Sequence, residues 1–220
     1  IGGIRSALVV GGLTLFIALS PWWDRALVTL YMATFGVFIS TIIGFTVGII
    51  SFQNKHTANF MLGVCDIFQT FPSFVYLIPV MMLFGVTDTS VLIAVIVYAT
   101  IPATRYTIEG LRSVPEALHD AATMSGVTKV QRLLKIEFPL AFPHMMLGLN
   151  QTIVFALFMV IIGAFIGTED LGQYILKALS DKKGAGIGLT LGLCVAFIGL
   201  IFDHLIRTWV GKRKKHLGIG

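Results

Sequence analysis

Charge is what this sequence has least of. Its 220 residues carry 16 Lys and Arg against 11 Asp and Glu, 12% of the chain, while 56% are hydrophobic and the mean hydropathy is +0.89. A soluble domain does not tolerate that balance, so the chain is read as an integral membrane protein. Cysteine is nearly absent: Cys65 and Cys194 both fall in apolar runs, which favours buried free thiols over a disulfide. There is no G-x-x-x-x-G-K-S/T loop to cradle a phosphate. The five histidines, His56, His119, His144, His204 and His216, are scattered rather than set at metal-ligand spacing. No nucleophile pairs with a base, which argues against catalysis. Repeats, low-complexity segments and dividing linkers are also lacking. The chain opens on Ile1 rather than methionine, and its first apolar run has no small-residue cleavage site. It is read as a span rather than a removable signal, with further sequence expected upstream.

What charge there is gathers in one polar island, Ser113 to Pro139. Glu116, Asp120, Lys129, Arg132, Lys135 and Glu137 lie inside it, His119 sits among them, and Glu109 and Arg112 lead into it. The island reads as two short helices. Ser113 with Glu116 predicts a capping box, and Pro115 fits a first turn. Ala117, Leu118, Ala121 and Ala122 then form a small apolar face that lets another surface approach closely. Gly126 is expected to end the first helix in the left-handed conformation. Thr128 with Gln131 predicts a second capping box, Val130, Leu133, Leu134 and Ile136 an apolar stripe, and Pro139 the end of the second helix.

Around the island the chain divides into apolar runs long enough for six spans. They are Ile4 to Ser20, marginal against a hydrocarbon core of roughly 30 Å; Ala26 to Ile50; Phe60 to Phe84; Val91 to Ala103; Leu140 to Ile166; and Gly184 to Phe202. Pro21-Trp22-Trp23 suits an interfacial anchor. Gly36, Gly44 and Gly48 allow close helix contacts. The third run is interrupted by Asp66, Gln69, Pro72 and Pro79. Its stretch from Gln69 to Tyr76 is equally readable as the lining of a translocation path or as a proline kink packed between helices. Asp66 and Asp203 sit near span ends, where snorkelling or capping competes with a functional role. Placing the island inside the cell puts twelve of the sixteen basic residues on or near the cytoplasmic face, including Arg5 and the tail Lys212 to Lys215. Arg25, Lys177, Lys182 and Lys183 remain on the other. That is the positive-inside bias, and it makes anionic lipid a better partner for the tail than nucleic acid. A DNA-binding helix-turn-helix is excluded in practice, because both ends of the island enter spans within a few residues.

The island resembles the cytoplasmic loop of the inner-membrane subunits of bacterial ATP-binding-cassette importers, which carries Glu-Ala-Ala, three residues, Gly, nine residues, Ile, one residue, Leu-Pro. Asp120-Ala121-Ala122, Gly126, Ile136 and Pro139 fall in that spacing, with Asp120 in place of Glu and Phe138 in place of Leu. A wider resemblance, from about Pro21 to Arg207, points to permeases of glycine betaine and proline-betaine importers. It rests on Phe71-Pro72-Ser73-Phe74-Val75-Tyr76-Leu77-Ile78-Pro79, Met82 to Gly85, Arg112 to Leu118, Gly148-Leu149-Asn150-Gln151-Thr152 and Gly172-Gln173.

These resemblances imply an all-α membrane protein with the transmembrane domain of a type I importer: about six helices and a cytoplasmic coupling helix pair. The expected organisation is an N-terminal helix and anchor over 1–25, a permease core over 26–210 with the coupling loop at 113–139, and a basic tail over 211–220. The implied location is the bacterial inner membrane, in several passes. Implied partners are a cytoplasmic ATPase dimer, a second copy of the permease, a periplasmic or lipid-anchored binding protein and membrane lipid. ATP and magnesium would sit on the ATPase, and no cofactor on this chain. Glu116, Ala117, Asp120, Ala121, Ala122, Gly126, Ile136 and Pro139 would meet the ATPase. Phe71, Pro72, Phe74, Tyr76, Asn150 and Gln151 are the candidates for the path. The solutes implied are glycine betaine, proline betaine, choline, carnitine or trimethylamine N-oxide, held in part by cation–π attraction of roughly 0.5–2 kcal/mol per ring. An ion-gradient-driven transporter of the same cations shares the apolar spans, but has no use for a doubly capped helix pair and shows no ion-coupling site. An intramembrane enzyme needs a paired catalytic constellation that the scattered acids and histidines do not supply.

Overall fold

The computed structural model describes residues 3–181 and 184–217, with the side chains of 3, 5, 166 and 213–217 left aside. Lys182 and Lys183, and the side chains of Arg5 and of the tail from Arg213 onward, therefore lie outside the described residues. All regular structure among those described is helical: α1 Gly3–Leu19, α2 Trp23–Phe52, α3 Lys55–Thr70, α4 Phe74–Phe84, α5 Asp88–Arg112, α6 Glu116–Met124, α7 Lys129–Arg132, α8 Phe138–Gly163, α9 Leu171–Ser180 and α10 Ala185–Leu217. A π turn, Leu133–Glu137, joins α7 to α8, and a 3₁₀ turn, Ala164–Ile166, follows α8.

By length and composition four helices can cross a membrane: α2, α5, the continuous Lys129–Gly163 helix and α10. The pair α3 and α4, bent by 91°, makes a fifth only if counted as one broken span. Against the expected count of about six, four or five are long and apolar enough among the described residues, and α1 is there a shorter apolar helix. The break expected in the third run falls at Phe71-Pro72-Ser73. Phe71 is extended (φ −72°, ψ 134°), as a residue before proline prefers.

Helix α5 is the centre of the bundle, and glycine sets how closely its neighbours approach. A Cβ on Gly44 of α2 would fall 2.4 Å from the Cβ of Ala103, and one on Gly48 2.6 Å from that of Thr107. From the other side, a Cβ on Gly148 of α8 would fall 2.6 Å from that of Tyr106, and one on Gly163 2.5 Å from Val91. In lipid, where burial of apolar surface gives helices little reason to associate, such close packing is what holds them. Ser40 adds a hydrogen bond across the contact, its Oγ donating to the Ile96 carbonyl at 3.0 Å. Cys65 and Cys194 are buried free thiols, as expected.

The stretch after Gly167 folds as α9, which packs against α8, α10 and the start of α2 at the end of the bundle away from the polar island. Arg25 pairs with Glu169 at 2.6 Å, and its guanidinium lies 5.1 Å from the Tyr174 ring centre. Leu171 N–H donates to Thr29 Oγ1 at 3.1 Å. Asp170 caps α9 by accepting from Gln173 N–H at 3.1 Å. Its side chain is fully buried. Burial pushes the Asp170 carboxyl up to about 6, against the pull of the backbone N–H groups of Gln173 and Gly172.

Replacing Gly44 by Val places a branched side chain where even a methyl collides. The expected cost is about 1–3 kcal/mol, seen as a lower melting temperature of the detergent-purified chain; unchanged melting would mean α2 and α5 can separate freely. Asp170 binds its proton more tightly folded than unfolded. Its contribution to stability is therefore complete below about pH 4 and lost as pH rises through about 6, a change on the order of 3 kcal/mol. Asp170→Asn keeps a capping oxygen and should flatten this part of the stability profile between pH 4 and 7. Parallel profiles for the two proteins would exclude Asp170 as its source.

Candidate functional site

The polar island joins the end of α5 to the long helix that continues into α8, and local hydrogen bonding explains its shape. The capping box expected at Ser113 does not form. Ser113 stays in helical geometry (φ −74°, ψ −8°) as the C-terminal cap of α5, and its Oγ donates back to the Gly110 carbonyl at 2.7 Å. Pro115 instead opens α6, and no side chain caps it. The end of α6 follows expectation. Gly126 takes φ +72°, its N–H donates to Thr123 O at 3.1 Å, and Val127 N–H donates to Ala122 O at 3.2 Å. These are the two bonds of a Schellman motif, closed by the left-handed residue that glycine supplies at least strain. The second capping box is complete: Gln131 N–H donates to Thr128 Oγ1 at 3.3 Å and Thr128 N–H to Gln131 Oε1 at 3.1 Å.

Pro139, expected to end the second helix, does not. Residues Lys129–Gly163 run on as one helix of 35 residues. The reason lies just before the proline. In a regular α-helix its ring would collide with the Lys135 carbonyl and leave that carbonyl without a donor. Here the ladder widens to a π turn over Leu133–Glu137, with Phe138 N–H donating to Leu133 O, and Pro139 falls in the first turn of the helix that follows.

The π turn also places a charge inside. Glu137 is only 2% exposed. One carboxylate oxygen accepts from Arg132 Nε at 2.9 Å and lies 3.0 Å from His119 Nδ1 on α6. Sequence reasoning named all three residues and missed the cluster. A spacing of five residues puts two side chains about 140° apart on a regular α-helix, so Arg132 and Glu137 carry no pairing signal until the helix widens.

The outward surface of the island holds Glu116, Ala117, Asp120, Ala121 and Gly126, all exposed, while Ala122 is turned inward. The small face is therefore split: Ala117 and Ala121 are open, and Ala122 packs inside. Ile136 and Pro139 are half-buried. With Leu118, Ala121, Ala122 and Val127 they line a shallow groove between α6 and the long helix. Met124, at the tip of α6, is 90% exposed.

The candidates for a path are dispersed. Tyr76 is buried; its hydroxyl donates to the Phe68 carbonyl, freed where α3 ends, and its ring centre lies 5.0 Å from that of Tyr98, which stacks on Phe155 at 4.7 Å. Phe71 and Phe74, beside Pro72 at the break, are exposed. Asn150 points elsewhere, donating to Asp203 of α10 at 2.7 Å, and Gln151 is half-buried. Asp203 also accepts from Arg207 at 2.8 Å. Asp66, for which snorkelling or capping competed with a functional role, is an ion-pair partner. It pairs with Arg105 of α5, which also meets Glu109 at 2.9 Å and Gln69 at 3.0 Å. Arg112 donates to Asn59 at 2.7 Å. These contacts tie the polar face of α3 to the half of α5 that leads into the polar island.

Comparison with known proteins gives a consistent picture. A family model described as the inner membrane component of binding-protein-dependent transport systems matches residues 36–216. A trimethylamine N-oxide transport system permease protein of Ruegeria pomeroyi is 44% identical over 100% of this chain, which covers 33% of that relative. The glycine betaine transport system permease protein OpuAB of Bacillus subtilis is 32% identical, with 88% of this chain and 68% of the relative covered. The glycine betaine/proline betaine transport system permease protein ProW of Escherichia coli is 33% identical, with 89% and 55% covered. The chain thus spans about a third of the first of these and about half of the last. Among solved structures, a chain of the inward-facing MetNI methionine ABC transporter superposes with a TM-score of 0.72 at 22% identity, covering 84% of this chain and 94% of the other; this likeness concerns the fold alone.

Proposed function

The chain belongs to the family of inner membrane components of binding-protein-dependent transport systems, and on that premise we propose that it is the permease subunit of an ATP-driven importer for a quaternary-ammonium or related osmolyte. Glycine betaine, proline betaine, choline, carnitine and trimethylamine N-oxide are the solutes concerned. Relatives named for trimethylamine N-oxide and for betaines, at 44% and 32–33% identity, support that class. The observation that carries the reading is α6 with its Schellman turn: an exposed, capped helix held between two spans. A helix so placed has the form of a handle. Glu116, Ala117, Asp120, Ala121 and Gly126 would seat in a cytoplasmic ATPase, with Ala122, Ile136 and Pro139 supporting them from behind.

In this mechanism the ATPase dimer, holding ATP and magnesium, closes and reopens. The docked helices carry that movement into the long helix that begins at Lys129, and two copies of the permease alternate between inward-facing and outward-facing arrangements in the bacterial inner membrane. A periplasmic or lipid-anchored binding protein delivers the solute. The exposed rings of Phe71 and Phe74 at the break between α3 and α4 are the side chains best placed to meet it, while Tyr76 supports the break from within. The residues from 211 onward serve as a basic tail against anionic lipid.

The test is uptake by the chain reconstituted with its ATPase and binding protein, against a panel of the five solutes. ATP-dependent uptake of at least one, abolished when the ATPase is omitted, is expected. Uptake driven by an ion gradient without the ATPase would replace this reading with that of a secondary transporter. Gly126→Val forces a branched residue to φ +72°, where left-handed backbone costs about 1–2 kcal/mol. It should cut uptake while membrane insertion stays normal, and unchanged uptake would remove the turn from the mechanism. Asp120→Lys should reduce co-purification of the ATPase; normal co-purification would place Asp120 outside the interface.

A further inference from the structure

His119, Arg132 and Glu137 meet behind the outward face of the island, with Glu137 buried and the other two half-buried. Helix α6 has nine residues, too few to be stable alone, and Ala122 is its one buried residue among those described. A single alanine does not fix the angle of a helix. What reaches from α6 into the interior is His119, whose side chain is 23% exposed, and it meets Glu137.

Glu137 stands at a weak point of the long helix. The π turn over Leu133–Glu137 and the missing donor of Pro139 both loosen the backbone ladder at the level where the polar island meets the membrane span. Arg132 lies at the near edge of the turn and Glu137 at its far edge, so their 2.9 Å contact braces the turn from end to end. His119 Nδ1 lies 3.0 Å from Glu137 Oε1 at the far edge, beyond the loosened segment.

We propose that His119, Arg132 and Glu137 form a latch that passes movement of α6 to the membrane side of the π turn. With the latch closed, a force on α6 reaches Glu137 directly and turns α8 as one rod. With it open, the same force bends the helix at the turn and is absorbed there. Glu137 is a positioning residue in this scheme and touches neither solute nor ATPase. The inference rests on the importer reading, since it concerns how the proposed ATPase stroke reaches the spans.

The experiment uses the reconstituted complex with Glu137→Gln, which removes the charge and keeps the shape, and with His119→Gln. Solute taken up is measured per ATP hydrolysed, at equal amounts of assembled complex. A purely structural role would lower the amount of complex and leave this ratio unchanged. The latch predicts a fall of about tenfold in the ratio for either variant, with hydrolysis continuing, and little further fall when the two are combined because they break one device. A wild-type ratio in either variant overturns the latch. If Glu137→Gln fails to assemble, His119→Gln, at the outer end of the cluster, decides alone by the same criterion. Absence of ATPase-dependent uptake in the wild-type complex would instead overturn the importer reading, and the latch with it.

Discussion

The constraint on which the rest of this structure depends is that the hydrocarbon core offers the backbone no hydrogen bonds. Long helices answer it, and each interruption has an answer of its own. Where Pro72 stops α3, the Tyr76 hydroxyl reaches back to the Phe68 carbonyl. Where Pro139 would break the helix leading to α8, the ladder widens to a π turn and resumes. Other breaks use polar side chains of their own: Thr87 caps α5, Asp170 caps α9 and Thr128 caps α7.

Ion pairs follow the same logic. Arg105 is surrounded by Asp66, Gln69 and Glu109, Arg207 is clasped by Asp203, and Arg25 by Glu169. Most of these are partly exposed and add little stability singly. Glu137 differs, because a carboxylate 2% exposed is costly without its partners. Removing either partner exposes that cost, so geometry at the cluster is enforced more strictly than at any rim pair. In the proposed latch this is the contact through which a small helix on a four-residue turn steers the 35-residue helix.

Much of this was legible in the sequence. The broken third span, the Schellman glycine at 126, the Thr128 capping box and the close approaches at Gly36, Gly44 and Gly48 all rest on local chemistry that a residue carries with it. What was not legible depended on competition or on three dimensions. Ser113 had two helices to serve, and the end of α5 took it. Pro139 reads as a stop because a π turn leaves no composition signal. Helix α9 was legible and passed over: Leu171, Tyr174, Ile175 and Ala178 recur at helical spacing and pack on the core, inside a stretch whose flanking Glu169, Asp170, Asp181 and lysines make it read as polar. The pairing of Arg132 with Glu137 has no α-helical spacing at all.

The aromatic residues limit where a quaternary cation can be held. A ring attracts a cation through its face, and only an open face serves. Tyr98 stacks on Phe155 at an interplanar angle of 26°, Tyr76 leans on Tyr98, and Tyr174 already has Arg25 and Lys177 within about 5 Å of its centre. Those rings support helices and are occupied. Phe71 and Phe74 are more than 40% exposed and lie at the 91° break, where the chain departs from a straight span. In the proposed path these two exposed rings offer open faces to a methylated cation without enclosing it. In the proposed function, discrimination among such solutes is left to the binding protein, as the family resemblance implies, and the membrane path is the permissive part.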